Sequence, residues 1–143
     1  MDKYVNLVKL CVGATKVEDL LAWQSSARAK CPDGLPRHVT RMWPRREDEV
    51  LAGGSLYWVF KGVILARQRI LRFDEVRGVD GIMRCGLVLE GDVHRTDPQP
   101  RRAFQGWRYL APGDAPRDLP AARAMEKTLP PDLEVALAEI GLR

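Results

Sequence analysis

The segment from Gly53 to Arg77, GGSLYWVFKGVILARQRILRFDEVR, decides the fold of this chain. A Gly-Gly turn leads into an aromatic strand over Leu56 to Lys61, and a further glycine leads into a long β-branched strand over Val63 to Val76. Arginines and a glutamine interrupt the long strand at positions where a buried strand would be apolar. The pattern predicts a sheet that buries one face and presents cationic groups to a partner.

The region before this segment predicts a strand and a helix. Tyr4 to Val12 carries apolar residues on both faces, which is typical of a strand covered on two sides. Thr15 and Glu18 have the spacing of a capping box, in which Thr15 caps a backbone amide and Glu18 reaches back. A helix is therefore predicted over Lys16 to Lys30.

The rest of the chain alternates short elements with turns. Asp80-Gly81 is a two-residue hairpin signal that pairs the end of the long strand with the next one. The prolines of His94 to Arg102 predict a loop or an irregular edge. The remaining predictions are strands at His38 to Met42, Ile82 to Glu90 and Phe104 to Leu110, a helical turn at Arg46 to Leu51, and a helix at residues 131–141.

This order of elements predicts an α+β fold with a small, strongly curved and mostly antiparallel sheet, flanked by an N-terminal and a C-terminal helix. A chain of 143 residues is long enough to bury a core as a single domain, residues 1–143. Within it we expect the core at 4–110, a Pro-, Asp- and Gly-rich linker at 111–120, and the C-terminal helix.

Composition limits the class of protein. Fourteen Lys and Arg against nine Asp and Glu give residues 37–108 a net charge of +5, while the segments before and after carry +1 and −2. Arg dominates this excess, and its planar fork suits phosphate and carboxylate groups. The three cysteines have no metal spacing and indicate reduced thiols. Short apolar runs and a weak N-terminal one predict a cytoplasmic protein without a membrane span or signal peptide.

Arg67 and Arg69 project side by side from one face of the long strand. One interpretation is an edge position whose exposed arginines discourage sheet-to-sheet aggregation. The functional interpretation is a cationic floor in a groove, where a phosphate or carboxylate binds.

A second cluster, RHVTRMWPRR, interleaves cations with an aromatic ring. Arg37, His38, Arg41 and Trp43 together are suited to hold a phosphate and stack a base. The alternative is a solvated loop with Trp43 buried in the core.

A third cluster, RRAFQGWRY, contributes Arg102 and Arg108 as further candidates. Trp107 shares strand parity with Tyr109, which favours a place in the core, although a binding role for Trp107 stays open.

Enzyme templates are absent from the sequence. The two histidines, His38 and His94, have no metal-spaced partner, and there is no nucleophile elbow, phosphate loop or dinucleotide fingerprint. No cofactor is therefore expected. One arrangement remains open, in which His38 meets Arg41 and Arg67.

The phrases VNLVKLCVG, HVTRMWPRR, GGSLYWVFKGVILARQRI and PQPRRAFQGWRYL resemble a bacterial family of short cytosolic proteins, domain-of-unknown-function family 1489. The resemblance extends from about Val5 to Leu119. It implies no known activity.

A weaker resemblance is to the PUA-like superfamily, which includes ASCH and EVE domains. It rests on the order of a charged segment, a short helix, the turn Leu51-Ala52-Gly53-Gly54 and two hydrophobic strands, although Gly54-Ser55 stands where those domains have Gly-Asp. It implies that the sheet closes into a pseudo-barrel. It also implies a cleft for RNA or modified bases close to Arg41, Trp43, Lys61 and Arg67.

We expect a binding module for RNA or a nucleotide-like anion, acting through phosphate attraction and stacking on an aromatic such as Trp43. The first alternative is an enzyme for a small anionic substrate with His38 as general base. The second is a protein-partner adaptor that uses the C-terminal helix. The sequence does not establish an oligomeric state.

Overall fold

The structure, a computed structural model, describes residues 4–26, 30, 34–102, 104 and 106–119. The predicted helix at 131–141 and Cys31 lie outside these residues. The described elements are β1 (Asn6–Leu10), α1 (Val17–Gln24), β2 (Arg37–Thr40), α2 (Glu47–Leu51), β3 (Ser55–Phe60), β4 (Val63–Arg77), β5 (Met83–Leu89), β6 (His94–Pro100), β7 (Trp107–Leu110) and a 3-10 turn at Pro112–Asp114. The prediction of an α+β fold is confirmed.

Seven strands form one mixed sheet in the order β2-β5-β4-β3-β1-β7, and β6 pairs with β4. The neighbouring pairs are antiparallel except β1 and β3, which run parallel. A parallel pair needs a long crossover. In this chain the crossover carries α1, β2 and α2, which places α1 and α2 against one face of the sheet.

β4 organises both faces of the sheet. Its residues alternate between an inner face, with Ala66, Gln68 and Ile70 buried, and an outer face, with Arg67 partly buried and Arg69 exposed. The pairing register shifts between Ile64 and Ala66 and again between Ile70 and Arg72. Such bulges bend a strand and increase its twist, which curls the sheet around its inner face.

The main hydrophobic core lies on the inner face, under the two helices. Leu56, Trp58 and Phe60 of β3 pack there with Val17 and Leu20 of α1. A smaller cluster of Val8, Tyr57, Val59, Ile64 and Leu110 lies on the outer face. Both clusters contain residues of β3, and all six residues of that strand are buried.

Gly54 is required by close backbone packing at the start of β3. A Cβ atom there would clash with the carbonyl oxygens of Val5 and Val50. Because Gly54 has no Cβ, the backbone segments can come close together here, which holds the end of α2 against the start of β1.

The prediction that the sheet closes into a pseudo-barrel is wrong, because the end strands β2 and β7 do not pair in the described structure. Side chains of β7 instead reach the loop after β2. The Trp107 indole Nε1 donates to the Met42 carbonyl oxygen at 2.9 Å. The Tyr109 hydroxyl accepts hydrogen bonds from the backbone N–H groups of Arg45 and Arg46 at 2.9 and 3.1 Å.

The segment predicted as a loop or irregular edge at His94 to Arg102 is mostly strand β6. Pro98 and Pro100 are exposed on it, where no donor is required, and an edge strand tolerates proline under that condition. Residues 117–119 bind its free side: the Asp97 N–H donates to the Arg117 carbonyl at 2.8 Å, and the Leu119 N–H to the Arg95 carbonyl at 2.8 Å.

Helix α1 begins near its predicted position with a different cap. Asp19 rather than Glu18 accepts from the Thr15 backbone N–H at 3.0 Å and the Thr15 hydroxyl at 3.2 Å. Glu18 instead accepts from Arg95 Nη2 at 2.9 Å. Of the described helices, none has the length and apolar character needed to cross a membrane.

Candidate functional site

Three of the four tryptophans converge on the inner face of the sheet around a lysine and a histidine. We call this group, Lys9, Trp23, His38, Trp58 and Trp107, the tryptophan cluster. The register places Lys9 beside Trp58 of β3 on one side and beside Trp107 of β7 on the other. Trp23 comes from α1 and His38 from β2, so five elements build the cluster.

His38 is held between two indole rings. Its ring centroid lies 5.1 Å from that of Trp58 and 6.2 Å from that of Trp23, both in edge-to-face arrangements. The Nε2 atom is buried and has no hydrogen-bonding partner among the described residues. Burial lowers the pKa of His38 to about 4, and the positive charge of Lys9 adds to the shift. The imidazole is therefore neutral near pH 7.

Lys9 is the only charged residue of β1. It is partly buried, and burial lowers its pKa. No ion pair or hydrogen bond is recorded for its ammonium group within the described chain. The neighbouring Cys11 does not supply a negative charge, because burial raises the pKa of its thiol to about 11.

Two glutamines, Gln24 and Gln68, form a hydrogen-bonded network with the Trp58 side chain. Gln68, which is fully buried, exchanges two hydrogen bonds with Gln24 at 2.7 and 2.8 Å. Gln68 Oε1 also accepts from Trp58 Nε1 at 2.9 Å, and its Nε2 donates to the Glu90 carbonyl at 3.1 Å. The Gln68 amide thus uses all four of its hydrogen-bonding positions. The network fixes the indole of Trp58 and, through it, the position of His38.

Three of the predicted site residues, Arg37, Arg67 and Arg69, lie on the outer face. Arg67 donates in bidentate fashion to Asp118, with Nε–Oδ1 at 2.8 Å and Nη2–Oδ2 at 2.7 Å. Arg37 pairs with Asp74 at 3.4 Å. Arg69 is exposed. His38 lies on the inner face, so the open arrangement of His38 with Arg67 is not formed.

Arg41 and Trp43 lie in the loop between β2 and α2. Trp43 packs against Phe73 with ring centroids 5.9 Å apart, and its Nε1 donates to Glu47 at 2.8 Å. Trp43 is 36% exposed, so it is neither buried in the core nor a free surface on which a base can stack. Arg41 is exposed in the same loop.

Lys61 lies in the turn between β3 and β4, Arg102 follows β6, and Arg108 lies on β7. The Arg101 N–H donates to the Gly62 carbonyl at 2.7 Å, which ties the segment after β6 to the turn that carries Lys61. The guanidinium carbons of Arg101 and Arg108 lie 5.5 and 5.1 Å from the centroid of the Phe104 ring. We call Lys61, Arg101, Arg102 and Arg108 the cationic end.

The nine predicted residues therefore divide among four places: the outer face, the loop after β2, the cationic end and the tryptophan cluster, which holds only His38 of the nine. Sequence reasoning missed Lys9, Trp23 and Trp58. One signal was available for Lys9, because it is the only charged residue within the run VNLVKLCV. A lone cation in a strand with two apolar faces is costly unless something pairs with it.

The arrangement gives no support to proton abstraction by His38. A base with a pKa of about 4 accepts protons weakly near neutral pH. The described residues contain no group of three or more His, Cys, Asp or Glu suited to a metal ion.

Comparison with known proteins identifies a family. The sequence model of one family, described as "Protein of unknown function (DUF1489)", matches residues 7–143. No curated protein and no solved structure matches the chain. The resemblance to PUA-like domains has no support from these comparisons.

Proposed function

Since the chain belongs to the DUF1489 family, whose description assigns no activity, we propose a function from the geometry: the chain is a binding module that holds RNA or a nucleotide-like anion at its cationic end. The observation that carries the proposal is that Arg101 and Arg108, from two segments, both lie over the Phe104 ring, and that the Arg101 backbone is bonded to the β3–β4 turn that carries Lys61. Phosphate oxygens are the natural partners of such a group.

The outer face provides the contrast that favours this location. There, Arg67 and Arg37 are occupied by Asp118 and Asp74. At the cationic end, no ion pair is recorded for Lys61, Arg101 or Arg102 with any described residue. Cations without a carboxylate neighbour keep their full attraction for an incoming polyanion.

The Phe104 ring restricts the movement of guanidinium groups at the cationic end. Guanidinium groups over an aromatic face lose some of their freedom before a ligand arrives, and a cation–π contact stabilises each of them by about 0.5–1 kcal/mol at exposed sites. Arg101 therefore presents a partly fixed donor, which lowers the entropic cost of holding a phosphate group, whereas Arg108 Nη1 already donates to the Trp107 carbonyl at 3.0 Å.

Fluorescence anisotropy with a short labelled single-stranded RNA tests the proposal. We expect binding at ~50 mM salt that weakens steeply as salt rises, with a slope of about −0.7 per phosphate contact. The double variant Arg101→Gln, Arg102→Gln should lose at least about tenfold in affinity, because each charged contact contributes on the order of 1 kcal/mol. Arg77→Gln, an exposed cation at the opposite end of β4, is the matched control.

Two results would contradict the proposal. One is no binding at the low salt concentration, where phosphate contacts are strongest. The other is an equal loss of affinity in the Arg77→Gln control and in the double variant. The same titration with DNA of matching sequence shows whether the ribose hydroxyl contributes to recognition.

A further inference from the structure

The tryptophan cluster contains two polar groups that the described chain leaves without partners. Lys9 has a partly buried ammonium group with no recorded carboxylate neighbour, and His38 has a buried Nε2 with no hydrogen-bonding partner. Burying a polar group without a hydrogen bond costs about 1–3 kcal/mol in proteins. His38 Nε2 is such a group, and the half-buried Lys9 lies beside the same indole, Trp58, although three strands separate β2 from β1 in the sheet.

The cluster also has a consistent electrostatic character. Lys9 is the β1 register partner of Trp58, and the His38 ring centroid lies 5.1 Å from that of Trp58, so both polar groups lie beside one indole. Cys11, which interacts with Lys9, is neutral near pH 7 because burial raises its pKa to about 11. The site therefore carries one uncompensated positive charge, which calls for a single negative charge on its partner.

The surrounding rings define the shape of that partner. Trp58 and Trp107 are buried, whereas Trp23 is 44% exposed at the last turn of α1. Two indoles thus flank Lys9 from inside the core, and the third closes over His38 from the solvent side. Flat aromatic walls favour a planar molecule.

We propose that the tryptophan cluster binds a small planar organic anion, an aromatic or heteroaromatic carboxylate, with its carboxylate at Lys9 and a polar ring or carboxylate atom at His38 Nε2. Trp23 is the wall that moves or opens to admit it. This site is separate from the cationic end. The proposal can therefore be tested independently of RNA binding.

The experiment compares charged and neutral rings of equal size. Benzoate and nicotinate are titrated into the full chain against benzamide and nicotinamide, with tryptophan fluorescence and calorimetry as readouts. We expect at least one carboxylate to saturate at or below millimolar concentration and to bind at least tenfold more tightly than its amide. Failure of both carboxylates to saturate, or equal binding of acid and amide, would overturn the proposal.

Variants then locate the site. Lys9→Met should reduce carboxylate affinity at least tenfold, and Trp23→Leu should reduce it severalfold. Lys16→Met and Trp43→Leu are the matched controls, because both residues are exposed and lie outside the cluster. Retention of affinity in Lys9→Met would place the ligand elsewhere and refute the assignment.

A second measurement separates ligand binding from a structural role. Without ligand, Lys9→Met should melt at or above the temperature of the unsubstituted chain, because the change removes a half-buried unpaired charge. With the carboxylate present, only the unsubstituted chain should gain thermal stability. A Lys9→Met variant that melts lower without ligand would show that Lys9 serves the fold instead. RNA binding should be unchanged in either case.

Discussion

The inner and outer faces of the sheet differ in whether their buried charged and polar groups have partners. On the outer face, Arg67 and Arg37 each meet a carboxylate, Asp118 and Asp74. On the inner face, Lys9 and His38 Nε2 have no such partner among the described residues. The number of cations is therefore a poor guide to a binding site in this chain, and the pairing state of each cation is a better one.

The two faces also differ in how they are stabilised. Polar groups on the inner face that do have partners form the Gln24–Gln68–Trp58 network, which is fully buried at Gln68. Polar groups on the outer face form ion pairs at the surface, where solvent screens them. We therefore expect larger stability losses from inner-face substitutions than from outer-face ones.

Gln68→Leu should give the largest loss, about 3 kcal/mol in the free energy of unfolding, measured in urea. Leu has a similar volume, but it leaves the indole N–H of Trp58, the amide of Gln24 and the Glu90 carbonyl without partners. The double variant with Gln24→Leu should lose less than the sum of the single losses, because it removes the unpaired amide as well. Additive losses would mean that the network is not a unit.

His38 should make stability fall with acid. Its pKa is lowered from 6.5 to about 4 in the folded chain, so the unfolded chain binds a proton first as the pH falls. The stabilisation is complete above about pH 6.5 and is lost between about pH 6.5 and 4, by roughly 3 kcal/mol. Urea unfolding across this range is the measurement.

The other histidine provides the matched comparison for this pH effect. His38→Gln should flatten the loss between pH 6.5 and 4, whereas His94→Gln should leave it in place. A similar pH dependence in the unsubstituted chain and the His38→Gln variant would show that the burial of His38 is not responsible.

The outer-face pair should have a smaller effect. Asp118→Asn should cost about 1 kcal/mol in urea unfolding at pH 7, because the Asp118 side chain is 44% exposed and its pairing with Arg67 is screened. The guanidinium holds the pKa of Asp118 below its usual range, so this contribution is present above about pH 4 and is lost as the pH falls through the folded pKa. Asp92→Asn, exposed in a loop, is the control, and an equal loss there would contradict a specific role for the pair.

Local signals in the sequence predicted the central elements well. The Gly-rich turns and β-branched runs gave β3 and β4, and Asp80-Gly81 gave the hairpin between β4 and β5. The β6 strand was missed because its prolines were interpreted as breakers, and only its edge position makes them acceptable. The open sheet was not predictable from local signals, because the relation between β2 and β7 depends on contacts between residues far apart in sequence, such as those of Trp107 and Tyr109 with the loop after β2.

Whether a site residue could be predicted from the sequence also depended on how far away in the sequence its partners lie. The carboxylates that occupy Arg37 and Arg67 are 37 and 51 residues away in sequence, so their pairing was not visible in the spacing of the arginines. Lys9 and His38 come together only because the sheet curls. The cationic end was partly predictable, since Arg102 and Arg108 were singled out in their own segment and Lys61 was implied by the resemblance to PUA-like domains.

The smallest stability effect is expected at Lys61, where binding and stability can be separated. Lys61 has a φ of +49° in the β3–β4 turn, a conformation that Asn adopts with little strain. Lys61→Asn should therefore change the free energy of unfolding by less than about 0.5 kcal/mol. It should nevertheless reduce the salt slope of RNA binding by about 0.7, the contribution of one phosphate contact. An unchanged slope alongside unchanged stability would remove Lys61 from the cationic end and leave that surface to Arg101, Arg102 and Arg108.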